Sequence, residues 1–93
     1  MLTLDGARRL IKTHTIFVGT LTNTLVHPRE VFVLAIEDRA NSIIIAHNHP
    51  SGSLEVGSKD REVTKRLNDA GELLGIKLDD HIVVTSDSFI SAM

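Results

Sequence analysis

Cysteine, tryptophan and tyrosine are missing from this 93-residue chain, and phenylalanine occurs only three times. Without cysteine, the chain forms neither disulfide bonds nor a zinc site built on thiolates. The lack of cysteine also fits a reducing compartment, and we expect the cytoplasm. The scarcity of aromatic rings leaves few surfaces on which nucleic-acid bases can stack.

An excess of charge of one sign is also missing. Ten basic and twelve acidic residues give a formal net charge of −2. Nucleic-acid-binding domains usually carry a clustered basic face. The lysines and arginines between residues 59 and 66 are instead interleaved with acidic side chains, a pattern typical of a solvated helix face. The composition therefore argues against direct nucleic-acid binding.

No apolar run approaches the roughly 18 residues that a membrane-spanning helix needs. Residues 1–5 contain no basic residue of the kind that opens a signal peptide. We therefore expect neither a membrane span nor a cleaved leader. The length predicts a single small domain over residues 1–93, with one modest core.

The most informative stretch lies between residues 42 and 60. Residues 42–46 are apolar and rich in isoleucine, which predicts a buried strand, and His47 and His49 follow where this strand ends. Side chains two residues apart in a strand project to the same face, so both imidazoles are expected on one side. The two imidazoles of this pair are suited to bind one metal ion together.

A helix is predicted over residues 58–74, because apolar residues recur there at helical spacing and Gly75 suits the position after a helix. Asp60 falls in its first turn, where the helix dipole favours an ionised carboxylate. If the preceding loop folds back, Asp60 completes a set with His47 and His49. Two imidazoles and one carboxylate suit Zn²⁺, and three protein ligands leave the fourth tetrahedral position for water.

The rest of the chain predicts an α/β sandwich in which a mixed β-sheet is sandwiched by α-helices. Strands are expected at residues 2–5, 10–20, 42–46 and 76–85, with a short last strand near residues 89–90. A turn is expected at Asp5-Gly6, another at residues 22–24, and a helix from Pro28 to Ala40. This order places the histidines at the carboxyl edge of a central strand, where ligand sites of α/β sheets gather.

The histidine stretch resembles the JAMM (MPN+) metalloprotease motif, in which His-x-His-Pro is followed by Ser-x-x-Asp. The sequence His-Asn-His-Pro-Ser-Gly at residues 47–52 resembles that of the RadC family, and the segments at residues 18–21, 27–32, 73–76 and 80–84 agree with this resemblance. The similarity runs from about Leu2 to Ile90. It implies a JAMM/MPN (cytidine-deaminase-like) fold and zinc-dependent hydrolysis of a peptide or isopeptide bond, in a substrate that the sequence does not specify.

Two positions depart from the family pattern. The glutamate that JAMM enzymes use as general base belongs to a motif Glu-x-Phe-x-x-Leu-x-Leu-Asp on the first strand. The end of this motif matches residues 2–5, so the position of the glutamate falls before Met1. The first strand is therefore expected to be incomplete. Gly57 stands where the family has the serine that stabilises the oxyanion. Ser58 either replaces that serine or caps the helix. Glu30 and Glu55 are weak substitutes for the glutamate, because a place in the first turn of a helix already explains Glu30.

The remaining histidines are His14, His27 and His81, and for each we expect a hydrogen-bonded structural role. His81, near the end of a predicted strand, is the candidate for contact with a metal ligand.

Two alternatives to a hydrolase stay open from the sequence. The missing glutamate and Gly57 also fit a zinc-binding but inactive module, and the traditional description of RadC proteins suggests a role associated with DNA repair. An incomplete first strand would expose backbone groups at a sheet edge, which predicts pairing with a second copy of the chain.

Overall fold

The computed structural model describes residues 1–16, 27–49 and 54–93. In chain order, the elements are β1 (Leu2–Leu4), β2 (Leu10–Thr13), α1 (Pro28–Glu37), β3 (Ser42–Asn48), α2 (Ser58–Leu74), β4 (Lys77–Val84) and β5 (Phe89–Ser91). The predicted α/β class is confirmed. Within the described ranges, neither helix has the length and apolarity of a membrane-spanning segment.

The five strands form one mixed sheet in the order β2-β1-β3-β4-β5. Only β3 and β4 are parallel, and α2 provides the crossover that a parallel pair requires. β3 lies at the centre, as predicted from its run of isoleucines. The strand that ends in the histidine pair is therefore held on both sides, by β1 and by β4.

A single core joins the sheet to both helices. Alternate residues of β3, Ile43 and Ile45, face this core, together with Leu67 of α2 and Phe32 of α1. Its other fully or almost fully buried members are Val31, Ala35, Ala40, Ile76 and Leu78. Burying each large aliphatic side chain contributes roughly 1.5–3 kcal/mol. This packing fixes the start of α2 relative to the end of β3.

Helix α2 has the predicted bounds, but α1 is shorter than predicted. It ends at Glu37 instead of Ala40, because Arg39 adopts a left-handed backbone conformation with φ of 54°. The amides of Arg39 and Ala40 then donate to the carbonyls of Ile36 and Ala35, which closes the helix in a Schellman motif. The residue after the C-cap of such a motif is usually glycine, so an arginine there does not mark the end of a helix in the sequence.

The second strand is also shorter than the prediction of residues 10–20. β2 ends at Thr13 and forms an exposed edge of the sheet, while residues 17–20 and the predicted turn at 22–24 lie outside the described residues. The turn at Asp5-Gly6 is confirmed, and the Asp5 carboxylate accepts hydrogen bonds from the amides of Ala7 and Arg9. β1 pairs with Ser42, Ile43 and Ile44, the first half of β3. Pairing of an edge with a second copy stays a prediction.

Candidate metal centre

The two histidines reach the same side of the sheet through the alternation of β3. His47 lies near the end of the strand, and His49 follows its last residue. The amide of His49 still donates to the carbonyl of Val84, 2.9 Å away, so the backbone stays in line with β4 beyond the strand end. The Nε2 atoms of the two rings lie 3.1 Å apart. The loop residues 50–53 that follow lie outside the described residues.

Asp60 approaches the histidines from the start of α2, where it is the third helical residue. The amide of Gly57, the N-cap, donates to Asp60 Oδ2 at 2.9 Å. The other oxygen, Oδ1, therefore faces the rings, 2.8 Å from Nε2 of His47 and 3.4 Å from Nε2 of His49. The structure thus brings together the three residues that the sequence singled out. In the described part of the chain, they form a group that can hold a metal ion.

The geometry and chemistry of this group, which we call the metal cluster, fit a small tetrahedral ion. An ion with bonds of about 2.0–2.1 Å separates its ligand atoms by roughly 3.3 Å. The observed separations of 2.8, 3.1 and 3.4 Å lie close to this value, so binding requires only a slight opening. The side chains of His47 and His49 are 33% and 22% exposed, which leaves an approach from solvent.

Protonation also favours a cation. Desolvation lowers the pKa of His47 most strongly, and Asp60 partly opposes this. Burial alone would raise the pKa of Asp60, but the hydrogen bond from the Gly57 amide and the neighbouring histidines bring it below its ordinary value. At neutral pH, His47 is therefore neutral and Asp60 is ionised, the charge states that metal binding needs.

Behind His47 lies His81, which is completely buried. The register of β3 with β4 places His81 opposite Ile45. Its Nε2 lies 2.8 Å from Nδ1 of His47, and its Nδ1 lies 2.6 Å from the hydroxyl of Thr64. Burial first, and then the neighbouring His47, lower the pKa of His81 to about 4. The expected structural role of His81, with contact to a candidate ligand, is confirmed.

Thr64 was missed by sequence reasoning. The available signal was its position four residues after Asp60, which places the two residues on the same face of α2. His14 has the structural role expected of it, since its Nε2 lies 2.6 Å from Oδ2 of Asp38. His27 is exposed and precedes α1 without a side-chain cap.

The weaker candidates are not members of the metal cluster. Glu30 lies in the first turn of α1, as predicted, and is exposed, as is Glu55. Neither belongs to the group of convergent ligand atoms found among the described residues. Ser58 is the first residue of α2 and Gly57 is its N-cap, so the prediction that Ser58 caps the helix is wrong.

Comparison with known proteins agrees with this geometry. The chain matches the RadC-like JAB domain family over residues 1–93. It is 52% identical over 90 residues to a UPF0758 protein of Finegoldia magna, and the aligned stretch covers 97% of this chain and 40% of that protein. It is 53% identical over 89 residues to a UPF0758 protein of Methanospirillum hungatei, and the aligned stretch covers 96% of this chain and 40% of that protein. The chain thus spans about two-fifths of the length of these curated relatives. On this match, the chain belongs to the RadC-like JAB domain family.

Proposed function

We propose that this domain is a zinc-dependent hydrolase of peptide or isopeptide bonds. The observation that carries the proposal is the convergence of His47 Nε2, His49 Nε2 and Asp60 Oδ1, all within 4.8 Å of one another. Two imidazoles and one carboxylate are a zinc-type donor set, and the number of protein ligands is that of a catalytic site with an open position.

The residues of the site have two roles, which are to hold the ion and to orient the side chains that hold it. His47, His49 and Asp60 would hold the ion, and the Gly57 amide fixes Asp60 so that only Oδ1 faces the rings. Zinc bound in such a site supplies an ionised water near neutral pH and polarises the scissile carbonyl. Transfer of a proton to the leaving amine still requires a carboxylate within hydrogen-bond reach.

The register of β1 supports a place for that carboxylate. In the family motif, the glutamate lies five residues before the leucine that matches Leu2. Leu2 pairs with Ile44 in an antiparallel ladder, so a strand continued by five residues would bring that glutamate opposite His49. Side chains an odd number of residues from Leu2 share the face of Thr3, which pairs with Ile43 on the histidine side of the sheet. We therefore propose that activity requires a glutamate on a strand that continues β1.

A second candidate function is zinc binding without hydrolysis. It is favoured by Gly57, which has no side chain where the family has its oxyanion-stabilising serine. Among the described residues, a Cβ atom added at Gly57 would meet only Asp60 Oδ2, at an ordinary 3.6 Å, and φ there is −80°. Serine therefore fits at this position without strain. A lost donor of this kind costs about 100-fold or more in rate.

The test compares the 93-residue chain with the same chain extended by a strand that carries the family glutamate. Both are loaded with zinc and incubated with peptide and isopeptide libraries, and cleavage is read by mass spectrometry. We expect cleavage by the extended chain, loss of cleavage with Glu→Gln in the added strand or with His49→Ala, and faster cleavage with Gly57→Ser. Stoichiometric zinc with no cleavage by any form, including Gly57→Ser, would contradict the hydrolase and support the second candidate.

A further inference from the structure

A row of three polar contacts runs inward from the metal cluster. Nδ1 of His47 lies 2.8 Å from Nε2 of His81, and Nδ1 of His81 lies 2.6 Å from Oγ1 of Thr64. Oγ1 of Thr64 lies 3.0 Å from the backbone carbonyl oxygen of Asp60. The row thus begins at one member of the metal cluster and returns to the backbone of another.

Each contact in this row can hold only one hydrogen, and this couples the two rings. A neutral imidazole carries one N–H and one lone pair. If His47 donates from Nδ1, then His81 accepts at Nε2 and must carry its own hydrogen on Nδ1. If His81 donates from Nε2 instead, then His47 carries its hydrogen on Nε2. Both rings are therefore protonated on Nδ1, or both on Nε2.

Only one of these arrangements leaves His47 able to bind a cation through Nε2. With both hydrogens on Nδ1, the His81 ring donates to the hydroxyl of Thr64. That hydroxyl turns its own hydrogen to the carbonyl of Asp60, which can only accept. Back-bonding of a threonine hydroxyl to the carbonyl four residues earlier is common in helices. The row is then fully satisfied, and Nε2 of His47 keeps its lone pair.

We propose that His81 and Thr64 are positioning residues that set the tautomer of His47 for metal binding. The proposal rests on the metal centre proposed above. In the metal-free protein, Oδ1 of Asp60 lies 2.8 Å from Nε2 of His47 and attracts a hydrogen to that atom. Both rings then carry their hydrogens on Nε2. When the ion binds, the proton on Nε2 of His47 is released to solvent, the proton on Nε2 of His81 passes to Nδ1 of His47, and Nδ1 of His81 takes the Thr64 hydroxyl proton, which solvent replaces. The hydroxyl then turns to the carbonyl of Asp60, and the number of protons on the two rings does not change.

The resulting signature appears at a residue that does not touch the metal. Long-range ¹H–¹⁵N NMR spectra of histidine-labelled protein, recorded at mildly alkaline pH, distinguish the two tautomers of each ring. We expect His81 to carry its hydrogen on Nε2 without zinc and on Nδ1 with one equivalent of zinc. A His81 ring that keeps its hydrogen on Nε2 in the zinc-loaded protein overturns the proposal.

Substitutions of Thr64 give a second test. Thr64→Val keeps the side-chain shape but removes the acceptor for His81 Nδ1–H, and losing such an outer partner typically weakens metal affinity by about 10- to 100-fold. Thr64→Ser restores the hydroxyl and should restore affinity. Asn68→Ala, one turn further along α2, is the control for a general effect on the helix. Zinc affinity is measured by competition with a chromophoric chelator.

The outcomes separate the two proposals. If wild-type protein and Thr64→Val bind zinc equally well, the positioning role is overturned and the metal centre stands. If the wild-type protein binds no zinc, the metal centre itself is overturned, and the role of His81 and Thr64 falls with it. If Thr64→Val loses affinity and Thr64→Ser does not, the positioning role is supported, since a general loss of packing would not depend on the hydroxyl.

Discussion

Histidine meets aspartate at two places in this domain, with opposite consequences. In what we call the closed pair, His14 Nε2 lies 2.6 Å from Asp38 Oδ2, and the Thr3 hydroxyl donates to the same oxygen at 2.8 Å. In the metal cluster, two imidazoles turn toward a single oxygen of Asp60. The closed pair has a hydrogen-bond donor on each side of its carboxylate oxygen, whereas in the metal cluster three possible ligand atoms, one from each residue, converge.

Solvent exposure follows the same division. The side chains of the closed pair are 14% and 11% exposed, and the imidazoles of the metal cluster are 33% and 22% exposed. A contact between histidine and aspartate therefore stabilises the fold when it is enclosed and matched donor to acceptor. The same contact can serve as a metal site when a second imidazole joins it and the rings stay open to solvent.

The largest expected difference between the two places is in zinc affinity. Asp60→Asn replaces a charged ligand with a neutral amide, and we expect affinity to fall by at least about 100-fold, since even the loss of an outer partner costs 10- to 100-fold. Asp38→Asn is the matched control and should bind zinc like the wild type. Isothermal titration calorimetry measures both variants. Equal affinities for the two variants would show that the distinction is wrong.

Zinc should also stabilise the fold through the metal cluster alone. At a free concentration of 100 times Kd, a ligand that binds only the folded state adds about 2.7 kcal/mol. For a domain of this size, this corresponds to a rise in Tm of roughly 10–20 °C. We expect the rise in the wild type and in Asp38→Asn, and its absence in Asp60→Asn. Differential scanning calorimetry with and without zinc provides the measurement, and a rise in Asp60→Asn would argue against binding at Asp60.

Acid should separate the two regions in the metal-free protein. The pKa of His81 is lowered from 6.5 to about 4. Neutral His81 therefore adds to the free energy of unfolding above pH 6.5. This contribution is lost as the pH falls toward 4, because the unfolded chain takes up a proton first. The expected loss in the free energy of unfolding is at most about 3 kcal/mol.

The acid response of the closed pair lies at lower pH. The hydrogen bond from His14, and to a smaller extent that from Thr3, lower the pKa of Asp38 below 3.8. Ionised Asp38 therefore adds to the free energy of unfolding above pH 3.8, and this contribution is lost as the pH falls through the lowered pKa. Urea unfolding across the pH range should show two phases, and Asp38→Asn should reduce only the lower one, to which the lowered pKa of Asp60 also contributes. Loss of the upper phase in this variant would contradict the assignment.

The smallest expected effect is on stability without zinc. Asp38→Asn weakens the hydrogen bond that the carboxylate accepts from His14 and should lower the free energy of unfolding by a similar amount with and without zinc. Asp60→Asn in the metal-free protein should cost less, because the imidazoles beside Asp60 are 33% and 22% exposed whereas His14 is 14% exposed, so solvent screens the contacts of Asp60 more strongly. Urea denaturation at neutral pH measures both. A larger cost at Asp60 than at Asp38 would reverse this ranking.

The parts of the molecule that could be predicted from the sequence are those set by local patterns. Helix α2 was predicted at its observed bounds because its apolar spacing and Gly75 are local signals. The shared side of His47 and His49 follows from strand alternation. For the helix and the histidine pair, neighbouring residues contain the necessary information. The approach of Asp60 depends in addition on the packing of α2 against β3, and from the sequence it was conditional on how the preceding loop folds back.

The parts that escaped prediction depend on contacts between distant residues. The pairing of His14 with Asp38 spans 24 positions, and the contact of Thr64 with His81 spans 17. Neither has a periodic signature. The early end of α1 depends on Arg39 in a conformation that usually belongs to glycine. The short β2 differs from its prediction because β-branched residues continue past Thr13, and residue type alone does not mark where pairing stops.

Zinc-edge X-ray absorption of the chain loaded with one equivalent of zinc tests most directly whether the end of β3 and the start of α2 form a metal centre. We expect one zinc per chain, with two imidazole nitrogens and one carboxylate oxygen at about 2.0–2.2 Å and a fourth ligand from solvent. Asp60→Asn should change the spectrum and Asp38→Asn should not. A spectrum with a single imidazole, or one that Asp60→Asn leaves unchanged, would contradict a centre formed by His47, His49 and Asp60.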